Sequence, residues 1–224
     1  MNGLLNDLGE LVGEYAGQFA QAYFVMLEIT ALSFILGFAL GIILTVARIS
    51  PVPPLRCAVT VFVEVFRNVP VLCTLVFIVF ALPEVGLVVD YLPAVVLSLV
   101  MVCAAFTCDN LAAGVNAIDP GQIEAARAIG LSFRHIAGSI VIPQALRSVI
   151  QPMTTLLIQV MISSSTGAMV PLAHLELTGL VSKINTAKAL GIPTFLLAAL
   201  LYVFTGLVFA FIGRQLEKRF GLWR

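Results

Sequence analysis

Long apolar blocks dominate this sequence and limit what it can fold into. Hydrophobic residues make up 60% of the chain and charged residues only 11%, whereas soluble domains carry about 25% charged residues. A helix that crosses a bilayer needs about 20 largely apolar residues. Five blocks approach or exceed that length: 20–47, 57–82, 92–115, 142–161 and 193–213. Since none alternates apolar and polar residues as a barrel strand does, we predict an all-α integral membrane protein with five transmembrane helices in a single domain, 1–224.

Positive charge is distributed unevenly between the loops, and this predicts an orientation. If the loops after the first and third spans share one side with the C-terminal tail, that side holds nine of the 12 basic residues, and the other side holds only Lys183 and Lys188. The nine are Arg48, Arg56, Arg127, Arg134, Arg147, Arg214, Lys218, Arg219 and Arg224. Because the basic side is normally cytoplasmic, we expect the N-terminus outside and the C-terminus inside. We expect 1–18 to form a short helix on the outer surface, and 171–192 an external loop or a half-buried helix.

Small residues within the spans predict how the helices pack. Gly37 and Gly41 form a Gly-xxx-Gly pair, which permits two helices to approach closely. The four cysteines, Cys57, Cys73, Cys103 and Cys108, have no metal-ligand spacing. We therefore expect all four to be small buried hydrophobic residues.

The loop after the third span carries the signals of a short helix in the cytoplasm. Asp119 suits an N-cap, Pro120 suits the first helical position, and Gln122 stands where a capping box places its amide. Gly130 suits a C-terminal stop. The small face Ala125–Ala126 would let a partner approach closely. An ordinary connector between two spans fits these signals as well.

The spacing within 119–143 resembles the cytoplasmic loop shared by membrane subunits of bacterial ABC importers. That loop has Glu-Ala-Ala, a Gly six residues after the Glu, and Ile-x-Leu-Pro with its Pro nineteen after the Glu. This chain matches it with Glu124, Ala125, Ala126, Gly130, Ile140 and Pro143, and departs only in having Ile142 for Leu. The resemblance implies an ABC type I importer permease fold, in which this segment is the coupling helix that docks on an ATPase subunit.

Other stretches narrow the resemblance to polar amino-acid permeases of the histidine, glutamine and glutamate type. They are Glu64-Val65-Phe66-Arg67-Asn68-Val69-Pro70, Phe80-Ala81-Leu82-Pro83, Pro143-Gln144-Ala145-Leu146-Arg147 and Leu216-Glu217-Lys218-Arg219. Asp109 stands where that group usually has Glu. The resemblance implies uptake of an acidic or amide amino acid (glutamate, aspartate or glutamine) across a bacterial inner membrane. It also implies four kinds of partner: two ATPase subunits, a second permease copy or close homologue, an extracytoplasmic amino-acid-binding protein, and membrane lipid.

Two departures from that group concern the substrate. The end of the fourth span reads Met161-Ile162-Ser163-Ser164-Ser165-Thr166, without the Lys and the Asp or Asn that many members carry, and Ala112 replaces a common Arg. Because charges near the pathway help to choose the substrate, these differences leave its identity open.

Polar side chains inside the predicted spans are candidates for the substrate pathway. An ionisable residue in a span costs about 2.5–3.5 kcal/mol on insertion scales, so it normally faces a cavity or the interior of the helix bundle. Glu64 and Arg67 are three apart and are expected to pair, and Pro70 is expected to break the turn Arg67–Pro70. The candidates are Glu64, Arg67, Asn68, Pro70, Asp109, Asn110, Gln159, Ser163 and Ser164. A structural role, as ion pairs and hydrogen bonds between helices, fits them as well.

Several classes of function lack the residues they need. The sequence has no Gly-xxxx-Gly-Lys-[Ser/Thr] phosphate loop, and His135 and His174 are isolated from one another. We therefore expect no catalytic residues, metal ligands or cofactor in this chain, with ATP and Mg bound by a partner ATPase. Zero net charge gives no basic footprint for nucleic acid. Two alternatives remain: a secondary amino-acid transporter driven by an ion gradient, and a membrane scaffold that transports nothing.

Overall fold

The computed structural model describes residues 2–220, which form helices and turns without any strand. The prediction of an all-α protein is therefore confirmed. The α-helices are α1 Asn2–Arg48, α2 Pro53–Asn68, α3 Val71–Val76, α4 Tyr91–Asn116, α5 Pro120–Ala128, α6 Phe133–His135, α7 Ile142–Ser148, α8 Ile150–Ser163, α9 Leu177–Lys188 and α10 Gly191–Phe220. Wider π turns occupy Phe77–Ala81 and Ile136–Val141, and tighter 3₁₀ turns occupy Pro83–Val85 and Ser164–Met169. The predicted charge asymmetry also counts Arg224, which lies outside the described residues.

Three helices in the described part of the chain are long and apolar enough to cross a membrane. They are Leu11–Arg48, Tyr91–Asn116 and Gly191–Phe220. Two further pairs pass the same test together but are bent at a short break: Pro53–Asn68 with Val71–Val85, and Phe133–Ser148 with Ile150–Met169. The total becomes five if each bent pair is one span. The predicted number of spans and the predicted orientation stay predictions.

The first and last spans are longer than the sequence predicts. Helix α1 runs without interruption from Asn2 to Arg48, so the prediction of a separate surface helix at 1–18 is wrong. No proline lies within this stretch to end the helix. Helix α10 likewise continues past 213 to Phe220, because the polar residues after Gly213 are good helix formers.

The second span breaks where Pro70 predicts a break. Helix α2 ends at Asn68, and Val69 is extended with φ −90° and ψ 126°. A residue that precedes proline is disfavoured in the helical region, and proline itself has no N–H to continue the ladder. The predicted broken turn at Arg67–Pro70 is therefore present.

The fourth span differs from its predicted bounds of 142–161. The helical path begins at Phe133, and it bends by 66° between Ser148 and Ile150. The π turn Ile136–Val141 comes directly before Ile142 and Pro143, so the proline lies inside a helical run instead of beginning a span. At the other end, the helical path continues through the 3₁₀ turn to Met169.

The described residues cluster into two compact units, each built from three chain segments. Unit 1 comprises Met1–Phe34, Val71–Leu99 and Ile158–Val208. One apolar cluster of this unit contains Ile29, Leu75, Ile78, Ala94, Val95, Leu99, Val170 and Leu172. Unit 2 comprises Ile35–Pro70, Val100–Leu157 and, among the described residues, 209–220. The prediction of a single domain stays a prediction.

Glycines allow helices α1 and α4 to pack closely within unit 2. A Cβ added at Gly37 would lie 2.6 Å from Cys103 Cβ, and one added at Gly41 would meet the Thr107 side chain. The close packing predicted from the Gly-xxx-Gly pair is therefore confirmed. Cys103 and Cys108 are buried as expected, whereas Cys57 and Cys73 are exposed. The cysteine prediction is wrong for that second pair.

Candidate functional site

Helix α5 begins with the cap that the sequence predicts. Asp119 Oδ1 accepts a hydrogen bond from the backbone N–H of Gly121 at 2.8 Å, and Pro120 occupies the first helical position. Gln122 makes a different contact, because its Oε1 accepts a hydrogen bond from Gln144 Nε2 at 2.9 Å. The predicted capping-box role of Gln122 is therefore wrong: its amide connects α5 to α7.

Helix α5 ends in a Schellman motif centred on Gly130. Gly130 has φ +81°, in the left-handed region that favours glycine. Its N–H donates to Arg127 O at 2.9 Å, and the N–H of Leu131 donates to Ala126 O at 3.1 Å. A Cβ added at Gly130 would meet nothing within 4 Å. Backbone conformation, not lack of space, is therefore the reason for glycine at this position.

One face of α5 packs against other residues of unit 2, and the opposite face is exposed. Ala126 is only 4% exposed and packs with Ile136 and Val141, while Ile140 packs against the same cluster. Ala126 therefore packs within its own chain and Ala125 is the exposed member of the small pair, while the predicted role of both residues in docking on an ATPase stays a prediction. Glu124, Ala125 and Ile129 are exposed, with Ile129 at 77%.

A cavity of about 470 Å³ lies beside α5 in unit 2. Ile123 and Arg127 of α5 line one part of it, and Ile49 and Ser50 after α1 line another. Arg56 also lines the cavity, and the remaining lining is apolar: Pro51, Val115, Leu131, Phe133, Ile136, Ala137 and Val141. The packing next to α5 therefore leaves room for side chains to move.

Three charged side chains form a cluster within unit 2. Asp109 Oδ2 lies 3.0 Å from Arg67 Nη1, and Asp109 Oδ1 lies 3.3 Å from Arg48 Nη1. The Arg67 guanidinium also lies 5.6 Å from the centre of the Phe106 ring, within the range of a cation–π contact. The side chains of Arg48, Arg67 and Asp109 are 24%, 34% and 35% exposed. Each carboxylate oxygen of Asp109 thus has its own guanidinium.

This cluster corrects the pair predicted between Glu64 and Arg67. The Glu64 carboxylate instead lies 3.4 Å from Asn68 Nδ2, one turn along the same exposed helix face. Arg67 turns to Asp109 of α4, a partner 42 residues away in the sequence that helix spacing does not predict. The sequence analysis also missed Arg48 as a site residue. The available signal was its place as a basic residue at the end of the predicted first span.

The other predicted pathway residues are divided between the two units. Pro70 and Asn110 belong to unit 2, where Asn110 is half-buried beside Asp109. Gln159, Ser163 and Ser164 belong to unit 1. Ser164 is buried and donates to Met161 O at 2.7 Å, while Ser163 O accepts from Thr166 Oγ1 at 2.8 Å. These hydrogen bonds within one helical path fit the structural interpretation of the serines.

Glu176 of unit 1, which lies in the predicted external segment 171–192, is a buried carboxylate. It caps α9, accepting hydrogen bonds from the N–H groups of Thr178 and Gly179 at 2.9 and 2.7 Å. Tyr202 Oη donates to the same carboxylate at 3.1 Å. Burial raises the pKa of Glu176 above its ordinary value, although these three hydrogen bonds act to lower it. Since Leu177, Gly179, Leu180 and Ile184 are buried, 171–192 contains the half-buried helix that was one of the two expectations.

No group of three or more His, Cys, Asp or Glu side chains in the described part of the chain could hold a metal ion. His174 Nδ1 lies 2.9 Å from Gln21 Nε2 within unit 1, and His135 Nδ1 lies 2.8 Å from Ser132 Oγ within unit 2. Each histidine therefore has a local polar partner in a different unit. What the arrangement offers chemically is a capped, partly anchored helix and a membrane ionic cluster.

Comparison with known proteins gives relatives along nearly the whole chain. The profile of a family described as "Binding-protein-dependent transport system inner membrane component" matches residues 12–222. The chain is 34% identical to "Probable glutamine ABC transporter permease protein GlnP" of Bacillus subtilis, over 96% of this chain and 99% of that protein. It is 30% identical to "Arginine transport system permease protein ArtQ" of the same organism, over 87% of this chain and 89% of that protein.

Solved structures share the fold. A chain of "an amino acid ABC transporter with histidines" aligns with a TM-score of 0.83 at 24% identity, covering 93% of this chain and 96% of that chain. A chain of the "MetNI methionine ABC transporter" in an inward-facing conformation aligns with a TM-score of 0.69 at 24% identity, covering 90% of this chain and 97% of that chain. At these identities the likeness concerns the fold alone.

Proposed function

We propose that this chain, which belongs to the family of binding-protein-dependent transport system inner membrane components, imports an acidic or amide amino acid. We further propose that the ATPase subunits drive this import through their contacts with α5. Its fold is that of an ABC type I importer permease, and it is an amino-acid permease subunit of the inner membrane. ATP hydrolysis belongs to separate subunits of such transporters. The substrate, the docking of ATPase subunits and the residues of the pathway are the proposed parts.

The observation that carries the proposal is how α5 is held. Asp119 and Gly130 fix its two ends, and Ala126 fixes one face to unit 2. The exposed face, with Glu124 and Ala125, is free to lie in a groove of an ATPase subunit. A helix fixed in this way transmits force as a rigid body, because bending it would break its caps and its packing.

ATP acts on such a permease by favouring one of two global states. A ligand shifts an equilibrium only through contacts that differ between the two states. We place those contacts at α5: closure of two ATPase subunits moves the α5 helices of two permease chains, and the pathway between them opens outward. The second chain is another copy or a close homologue, and a binding protein delivers the amino acid from outside.

The pathway residues we propose lie beside the break in the second span. Arg67 provides a guanidinium for a substrate carboxylate, and Asp109 provides a carboxylate for a substrate ammonium group. Both side chains are about one-third exposed, so they are accessible to a ligand as well as to one another. Pro70 leaves backbone groups without helical partners next to them. The names of relatives that carry glutamine and glutamate support an acidic or amide substrate.

Co-purification tests the docking of ATPase subunits on α5. We expect this chain, tagged and extracted from its native membrane, to bring with it an ATPase subunit and an amino-acid-binding protein. Glu124→Lys should remove the ATPase while the chain remains in the membrane, because it reverses a charge on the exposed face of α5. Glu84→Lys, an equal change at an exposed site outside α5, is the matched control. Retention of the ATPase by Glu124→Lys at the level of the control would contradict the proposal.

A further inference from the structure

Arg48 belongs to the ionic cluster of unit 2, and the residue that follows it contacts the apolar cluster around α5. It is the last residue of α1, and its Nη1 lies 3.3 Å from Asp109 Oδ1. The next residue, Ile49, packs against the apolar cluster that contains Ala126 of α5. Two adjacent residues thus contact the two parts of the candidate site.

The backbone makes these two contacts move together. Consecutive Cα atoms are 3.8 Å apart, and the last turn of α1 is held by a hydrogen bond from Ile49 N to Thr45 O at 3.0 Å. Ser50, the following residue, is buried, and its N–H lies 3.3 Å from Ala47 O. A displacement of Ile49 must therefore displace the Arg48 backbone.

The site also has room for such a displacement. Ile49 and Ser50 line the cavity of about 470 Å³ beside α5, together with Ile123 and Arg127 of that helix. A change in the position of α5 can be followed by Ile49 without a clash against a filled core. The packing around the end of α1 is therefore incomplete on the side that faces α5.

The two contacts of Asp109 are unequal. Arg67 Nη1 lies 3.0 Å from Oδ2, whereas Arg48 Nη1 donates a hydrogen bond to Oδ1 at the longer distance of 3.3 Å. The longer contact is the one connected to α5. A movement of Ile49 would displace Arg48 and not Arg67, so it would break this contact, leave Asp109 with Arg67 alone, and free one carboxylate oxygen.

We propose that Arg48 is a positioning residue that transmits the movement of α5 to Asp109, engaging this carboxylate in one state of the transport cycle and releasing it in the other. The proposal rests on the proposed function, in which α5 receives the movement of the ATPase. In this proposal Arg48 acts through Asp109 and is assigned no contact of its own with the ATPase or the substrate. Its role is to make the state of Asp109 depend on the state of α5.

The test measures two activities of the intact complex in proteoliposomes: amino-acid uptake and ATP hydrolysis. The complex contains this chain, its ATPase and its binding protein, with the labelled amino acid identified by that binding protein. Arg48→Gln removes the charge that holds Asp109, and we expect the amount of amino acid imported per ATP to fall about fivefold or more. Arg48→Lys keeps a charge that can reach one oxygen of Asp109, and we expect it to restore most of the ratio.

Two further variants separate transmission from a structural role. Ile49→Ala leaves the ion cluster intact but shortens the side chain that contacts the α5 cluster, and it should lower the same ratio. Arg214→Gln removes an exposed arginine near the end of α10 whose Nε bonds only Ala210 O of its own helix, and it should leave the ratio unchanged. An unchanged ratio in Arg48→Gln would overturn the proposal. So would an unchanged ratio in Ile49→Ala, whereas a wild-type complex without ATP-driven uptake would refute the proposed function.

Discussion

Replacing Gly37 by alanine tests the packing that brings α1 against α4. The new Cβ would lie 2.6 Å from Cys103 Cβ, 2.8 Å from Cys103 Sγ and 3.2 Å from Val100 O. Carbon atoms in contact are normally about 3.5–4.0 Å apart, so the two helices must separate by about 1 Å. Overpacking of this kind costs about 1–3 kcal/mol. In a chain of this size, that corresponds to a fall of about 2–12 °C in Tm.

The matched control is Gly17→Ala on the same helix. A Cβ at Gly17 would meet nothing within 4 Å, and alanine is a better helix former than glycine by about 1 kcal/mol. We expect the control to keep or raise the Tm while Gly37→Ala lowers it, both measured by thermal unfolding of the purified protein in one detergent. Adding Cys103→Gly to Gly37→Ala should recover part of the loss, since it removes the closest atoms. Equal Tm values for Gly37→Ala and Gly17→Ala would show that α1 and α4 are not packed too closely at Gly37 to admit a Cβ.

Three further predictions concern the coupling helix, the ionic cluster and the buried carboxylate of unit 1. Gly130 has a positive φ, and Asn tolerates the left-handed region better than a β-branched residue does. We therefore expect ATP-dependent uptake, measured at equal amounts of protein in the membrane, to be lower in Gly130→Asn than in the wild type and lowest in Gly130→Val. Equal uptake by the two variants would contradict this. Asp109→Asn leaves the guanidiniums of Arg48 and Arg67 without their shared carboxylate, so we expect a lower Tm and lower uptake than for Asn110→Ala. Identical values for the two variants would show that the cluster contributes to neither stability nor transport. Burial raises the pKa of Glu176 in the folded protein, so the folded state binds more protons than the unfolded state, and the free energy of unfolding falls as pH rises from acid towards neutral. Glu176→Gln should remove this dependence on pH in unfolding measurements across the same range. An unchanged dependence would exclude Glu176 as its source.

The features that the sequence predicted correctly depend on neighbouring residues. The start of α5 at Asp119 and Pro120, its end at Gly130 and the break at Pro70 all follow from the conformations that a residue or its neighbour permits. Such signals require no knowledge of distant contacts. The positions of these elements could therefore be read from the sequence.

The features that it did not predict depend on partners far along the chain. Helix spacing favoured a pair between Glu64 and Arg67, but Arg67 bonds a carboxylate on α4, and Arg48 shares that carboxylate from 61 residues away. Ala126 has the small side chain that suits the close approach of a partner, but it is buried in the apolar cluster of its own unit. Spacing along one helix shows which side chains share a face. It does not show which other helix that face meets.

The central claim is that this chain imports an amino acid with energy from ATP that enters through α5. The most direct test is uptake of labelled glutamine and glutamate by proteoliposomes that contain this chain together with its ATPase and binding protein. We expect uptake of at least one of them that requires ATP, persists when ionophores remove ion gradients, and is lost in Glu124→Lys. Uptake by this chain alone under a sodium or proton gradient, without ATPase or ATP, would contradict it.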